Sequence, residues 1–118
     1  MNGINLDDIN QLVAEKNFEE AKELLAEFLD NDEKNVEALK LLGLCHVNLN
    51  EFEQGRSVFE TVVKYKDDAS SWFYLASCYD NLNDFLHAIP AYEEVIRLRD
   101  NYIDAYKNLA VVHVKNKE

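Results

Sequence analysis

The chain has 118 residues, 47% of them hydrophobic and 30% charged, with only three Gly and one Pro. That composition fits one folded domain and excludes disorder, and so few Gly and Pro argue against a fold of many short strands. Twenty-three acidic residues against twelve basic give a formal net charge of −11; without a basic run, the chain lacks the footprint of a nucleic-acid binder.

No stretch approaches the roughly 18 apolar residues of a membrane span, so no membrane is expected. Met1-Asn2-Gly3-Ile4-Asn5 lacks a basic region followed by an apolar run, so no secretory leader is expected either. With only two Cys, a reducing, cytoplasmic location is the expectation. The negative field would attract basic or amphipathic segments.

The first helix is expected over 5–15, with Ile9 and Leu12 apolar but Asn5 and Asp8 polar. The second, over 18–31, carries Phe18, Ala21, Leu24, Leu25, Phe28 and Leu29 at offsets of three and four, one helical face. Asn17 followed three residues later by Glu20 reads as its N-cap with a returning carboxylate. The third, over 36–48, carries Leu39, Leu42, Gly43 and His46, and Leu49-Asn50 closes it. The fourth, over 51–65, repeats the stripe of the second as Phe52, Gly55, Val58, Phe59, Val62 and Val63, with Asn50 and Glu53 as its cap pair.

The fifth helix, over 69–81, carries Trp72, Leu75, Ala76 and Tyr79 and ends at Leu82-Asn83. Asn at these exits tolerates the left-handed conformation a helix end often needs. The sixth, over 84–98, repeats the stripe as Phe85, Ala88, Ala91, Tyr92, Val95 and Ile96, capped by Asp84. Pro90 lies inside it, where a local kink is expected. The seventh, over 102–115, carries Tyr106, Leu109, Ala110 and His113, with Asn101 as cap and Asp104 in its first turn.

These elements recur. Trp72-x-x-Leu75-Ala76-x-x-Tyr79 is echoed 33 residues earlier by Leu39-x-x-Leu42-Gly43-x-x-His46, and 34 residues later by Tyr106-x-x-Leu109-Ala110-x-x-His113. A fixed period of this length marks a stacked array of helix pairs. Short connections make successive helices antiparallel. Small residues at Gly43, Ala76 and Ala110, set against Gly55 and Ala88, are expected to let helices approach closely. The polar first unit suits a terminal repeat.

At these residues the chain resembles the tetratricopeptide repeat family, whose pattern runs Trp-x-x-Leu-Gly-x-x-Tyr, then a small residue, an aromatic and Pro. The third unit matches best, through Trp72, Leu75, Ala76, Tyr79, Ala88 and Tyr92; the closing Pro is replaced by Glu33, Asp67 and Asp100. The resemblance implies an all-α, right-handed α-solenoid, a single domain over 1–118. Its units fall at 2–35, 36–68 and 69–102, with a partial fourth at 103–118. That half-unit suggests a fragment of a longer array. Tyr106, Leu109, Ala110 and Val112 are expected to cover the preceding unit. The opposite face of the last helix would then be bare; the alternative to a fragment is that this helix acts as a lid or docks on a second copy, a homo-oligomer through 102–115.

Cys45 and Cys78 fall at equivalent places in adjacent units and read as apolar filler, since neighbouring helix axes lie further apart than a disulfide spans. His46 and His113 are two units apart, too far to share a metal ion, and stand where the family has Tyr. No catalytic constellation or phosphate loop is present, so neither enzymatic activity nor a cofactor is expected. An alternative is a recognition arm of an enzyme whose catalytic domain lies beyond residue 118.

In the family, the first-helix faces line a concave groove that holds a peptide, and the resemblance implies the same use here. The corresponding stripe is Glu37, Lys40, Leu44 and Asn48 in the second unit. In the third it is Ser70, Phe73, Tyr74, Ser77, Asp80 and Asn81, with Phe73 as the expected anchor. In the last it is Asp104, Lys107, Asn108 and Val111. The carboxylate clamp of chaperone-binding members needs Asn after the first Lys and Lys and Arg in the third position. Here Lys40 is followed by Leu44, then Tyr74, then Asp104 and Asn108, so the clamp is absent. The longer Asn ladder of sugar-transferring members also stops, at Lys115.

Overall fold

The computed structural model describes residues 5–118; Met1–Ile4, the segment read as lacking a leader, lies outside it. The described residues form seven α-helices and no strand. They are α1 (Leu6–Ala14), α2 (Phe18–Asn31), α3 (Val36–Asn48), α4 (Phe52–Tyr65), α5 (Ala69–Asn81), α6 (Phe85–Leu98) and α7 (Ile103–Lys117). Each helix packs on the next, and α3 also packs against both α1 and α5. The first helices of the pairs therefore make one layer and the second helices back it, the arrangement of an α-solenoid. The array measures 54 × 24 × 22 Å. Among the described residues no helix is long and apolar enough to cross a membrane.

The turn inside each pair is the same device three times. Lys16, Asn50 and Asn83 have φ of 65°, 61° and 60°. The residue after each donates its amide back five positions, Asn17 to Leu12, Glu51 to His46 and Asp84 to Tyr79, each at 2.8 Å. The left-handed residue's own amide bonds three back, to Val13, Val47 and Asp80. This pattern satisfies helix-end carbonyls that otherwise lack partners.

The caps differ from the expected set. Asp84 caps α6 through the His87 amide, but Asn17 makes no side-chain cap bond, α4 starts from Glu51, and α7 from Tyr102. Asn50 cannot serve as N-cap of α4 because the left-handed exit of α3 already uses it. The strong caps sit on first helices. Asn5 accepts from the Asp7 amide (2.7 Å), Asn35 from Ala38 (3.0 Å) and Asp68 from Ser71 (2.8 Å).

Two buried clusters hold the array. Ile9, Ala21, Leu25, Ala38, Leu41 and Cys45 form one across α1, α2 and α3. The other runs from Phe59 and Val62 through Leu75, Ala76, Cys78 and Tyr79 to Ala88, Tyr92, Val95 and Val112. Gly43 faces Phe59 rather than Gly55. A Cβ on Gly43 would come within 2.5 Å of Phe59 Cε2, whereas one on Gly55 would meet Cys78 Sγ at 3.0 Å. Helix α6 continues through Pro90, and Leu86, whose carbonyl loses its usual donor there, is 82% exposed.

In α7, Ala105 and Val112 are buried and Leu109 packs on the core, but Tyr106 and Ala110 are exposed. The expectation that Tyr106 and Ala110 cover the preceding unit is corrected. Gly43 shows why: that position looks toward the second helix of its own pair, not toward the unit before.

Candidate functional site

The candidate groove residues lie on α3, α5 and α7. On α3, Glu37, Lys40 and Leu44 line one pocket of about 320 Å³ with Val36, Leu41 and Lys66. Lys40 Nζ donates to Asp68 Oδ2 at 3.1 Å, tying the α3 stripe to the start of α5. Burial disfavours a charge on Asp68, yet the Ser71 amide and the Lys40 ammonium more than offset it and hold its carboxyl down at about 2. Asn48 is exposed and donates to the Leu44 carbonyl of its own helix (2.8 Å).

On α5, Ser70 Oγ donates to Asp68 (3.3 Å). Phe73 is half-buried in an aromatic stack. Its ring lies 5.0 Å from Tyr102 in a stacked arrangement and 5.9 Å, edge-on, from Tyr92. Tyr74 stacks on Phe59 at 5.5 Å. Asp80 is held on both oxygens, by Lys115 Nζ (3.1 Å) and the Tyr92 hydroxyl (3.3 Å). Ser77 is half-buried, and its carbonyl accepts from Asn81 (2.8 Å).

On α7, Lys107 and Val111 are exposed, and Asn108 donates to the Tyr92 hydroxyl at 3.4 Å. Asp104 lines a second pocket, of about 300 Å³, with Arg99, Asn101 and Tyr102. The stripe thus splits in three. Glu37, Lys40 and Leu44 share a pocket; Phe73, Asp80 and Asn108 meet around Tyr92; Asp104 stands with a separate set.

Lys66 and Arg99, which line the two pockets, were missed in the sequence. Both are C-cap residues, of α4 and α6, exactly one 33-residue period apart. The period that located the helices could have located them too.

Burial pushes the Cys45 thiol up to about 11 and the Cys78 thiol to about 12, only partly countered by Lys22 and Arg56 respectively. Neither is a ready nucleophile. Among the described residues no three His, Cys, Asp or Glu are grouped to hold a metal ion. His46 Nδ1 instead pairs with Glu51 at 2.8 Å, as the equivalent Tyr79 donates to Glu60 at 2.6 Å; His113 is exposed.

A tetratricopeptide repeat profile matches residues 12–78, more than half of the chain, and a second matches 69–102. The chain belongs to the tetratricopeptide repeat (TPR) family. No curated protein matches this TPR sequence. Among solved structures, it is similar to the first TPR of Spaghetti (RPAP3) bound to the HSP90 peptide SRMEEVD. The TM-score is 0.89 at 17% identity, covering 95% of this chain and 90% of that one. It is also similar to MamA, with a TM-score of 0.90 at 24% identity over 98% of this chain and 68% of the other. A further MamA structure gives 0.88 at 23% identity, over 93% of this chain and 61% of that one. At such identities the likeness establishes the TPR solenoid fold and nothing finer.

Proposed function

We propose that this TPR array is a non-catalytic scaffold that holds a basic or amphipathic peptide along its first-helix face. The observation that carries this reading is the pocket where Glu37, Lys40 and Leu44 converge. Val36, Leu41 and Leu44 offer apolar surface, Glu37 is a free carboxylate at the rim, and Lys40 is engaged by Asp68. The net charge of −11 adds a field that draws in cationic segments. The RPAP3 relative holds an acidic peptide ending in Glu-Glu-Val-Asp. Here the clamp positions carry Leu44, Tyr74, Asp104 and Asn108, and Tyr74 is stacked on Phe59. At those four positions a free carboxylate meets no cation; of the two lysines that line the pocket, Lys40 is engaged by Asp68 and Lys66 stands at the end of α4.

Fluorescence anisotropy with a Lys/Leu amphipathic peptide and with SRMEEVD tests this. The amphipathic peptide is expected to bind and SRMEEVD to give no measurable signal. Glu37→Lys, at an exposed site, is expected to weaken the amphipathic peptide roughly fivefold to tenfold while leaving the melting temperature unchanged. Tighter binding of SRMEEVD, or an unchanged affinity in Glu37→Lys, would refute the reading.

A further inference from the structure

Helices α5 and α7 meet at a small polar box. Asp80, in the last turn of α5, is only 15% exposed, and Lys115, in the last turn of α7, reaches across to set its Nζ 3.1 Å from Oδ1. The Tyr92 hydroxyl, from α6, donates to the other oxygen at 3.3 Å. The ammonium also stands over the Phe85 ring, 6.0 Å from its centroid. Burial, and then the charge of Asp80, push the Tyr92 hydroxyl above its usual value, so it stays a donor. A carboxylate fixed by a hydroxyl, beside an aromatic face, is a set of groups that holds an ammonium.

The repeat shows that the solenoid does not need this pair. At the equivalent places between α3 and α5 stand Val47 and Asn81, with Phe59 where α6 has Tyr92. There Val47 packs on the core, and Asn81 donates to the Ser77 carbonyl of its own helix. That joint closes without an ion pair. At the α5–α7 joint all three places change together, to Asp80, Lys115 and Tyr92. The carboxylate and the hydroxyl that fixes it therefore come as a set. Asp80 is well enclosed, whereas Lys115 is 44% exposed. An ion pair with so open a partner holds weakly, so a cation carried by a ligand with other contacts can take its place.

We infer that Asp80, Tyr92 and Phe85 form a receptor for a lysine side chain of the bound peptide, and that Lys115 fills it as an internal stand-in. The role rests on the scaffold function proposed above and adds a second contact to it, on α5, beyond the Glu37 pocket on α3. A peptide lysine replaces Lys115 at Asp80, and the freed Lys115 turns to solvent. Affinity for a basic peptide is thus held down by the chain's own cation, and removing the charge of Lys115 opens the receptor.

Fluorescence anisotropy with the same Lys/Leu peptide tests this on single variants. Lys115→Met keeps an apolar stem over Phe85 without the charge, and is expected to tighten binding about threefold to fivefold. Lys117→Met changes the net charge equally from an exposed place two residues on, and should stay within about twofold of the parent. Asp80→Asn keeps an acceptor for the Tyr92 hydroxyl but loses the charge, and is expected to weaken binding about fivefold. Circular dichroism and melting temperature check the fold of each. Should Asp80→Asn prove unstable, the comparison of Lys115→Met with Lys117→Met decides. A clasp that only ordered α7 would leave Lys115→Met binding no tighter than the parent. That outcome would overturn the receptor, as would a folded Asp80→Asn variant that binds like the parent, or an equal gain in Lys117→Met. Weaker binding in Glu37→Lys, with no response to Asp80 or Lys115, would remove the receptor and leave the scaffold standing. A peptide that binds neither the parent nor Lys115→Met would remove both.

Discussion

The three left-handed residues bear the same load with unequal side chains. Asn at 50 and 83 tolerates positive φ, whereas Lys16 at φ 65° does so at a cost of roughly 1 kcal/mol that Gly would avoid. Lys16→Gly should therefore raise the stability of the first helix pair by a few tenths to about 1 kcal/mol, less than the strain because Gly also loosens the unfolded chain. Urea denaturation followed at the first pair measures this; a loss of stability would mean that Lys16 is not strained. Asn50 and Asn83 were legible as exits in the sequence because Asn has this habit. Lys16 was not, since its type carries no such signal and only the period points to it. Phe73 shows the opposite limit. Its type and face matched an anchor, but its ring packs on Tyr102 and Tyr92. Tyr102 lies outside the stripe from which Phe73 was read, so the pairing needed three dimensions.

The helices themselves were written plainly, because six-residue apolar stripes at spacings of three and four leave one face to bury. Their ends were less plain. The caps of α3 and α5, Asn35 and Asp68, have no carboxylate three residues on to mark them, whereas Asn50 has Glu53 and yet serves only as the exit of α3. Asp68 couples capping to pH. Its carboxyl sits near 2, below its unfolded value near 4, so folding favours the ionised form. That stabilisation is complete above about pH 4 and is lost as pH falls toward 2. Thermal melts between these limits should show a falling melting temperature, and Asp68→Asn should flatten that part of the profile. An Asp68→Asn profile parallel to the parent's would assign the acid sensitivity to other carboxylates. Asn keeps a cap oxygen, so the variant separates the charge from the cap.

At the scale of the molecule, the Cα radius of gyration of 14.9 Å exceeds the roughly 13.5 Å of a compact domain of this length. Contacts run almost wholly between neighbours along the array, so stability is local. The α1–α3 cluster is built from Ile9, Leu25, Leu41 and small residues, while the larger one holds Phe59, Tyr79 and Tyr92. Hydrogen exchange should accordingly show amides of α1 and α2 opening at least about tenfold more readily than those of α5 and α6. Uniform protection would instead indicate one cooperative block. The contrast was foreshadowed by the polar first unit, but the division of the core between α3 and α4 had no sequence signature.

The close contact of Gly43 with Phe59 bears on how such an array avoids assembling out of order. All three pairs share the same backbone turn, so any first helix could in principle receive any second helix during folding. At the place of Gly43, however, α5 carries Ala76, and a Cβ at that depth collides with a ring seated as Phe59 is. Helix α4 therefore has a lock on α3 that α5 does not offer. The missing methyl on α3 is what makes room for the Phe59 ring, and a side chain at that place would have to displace it.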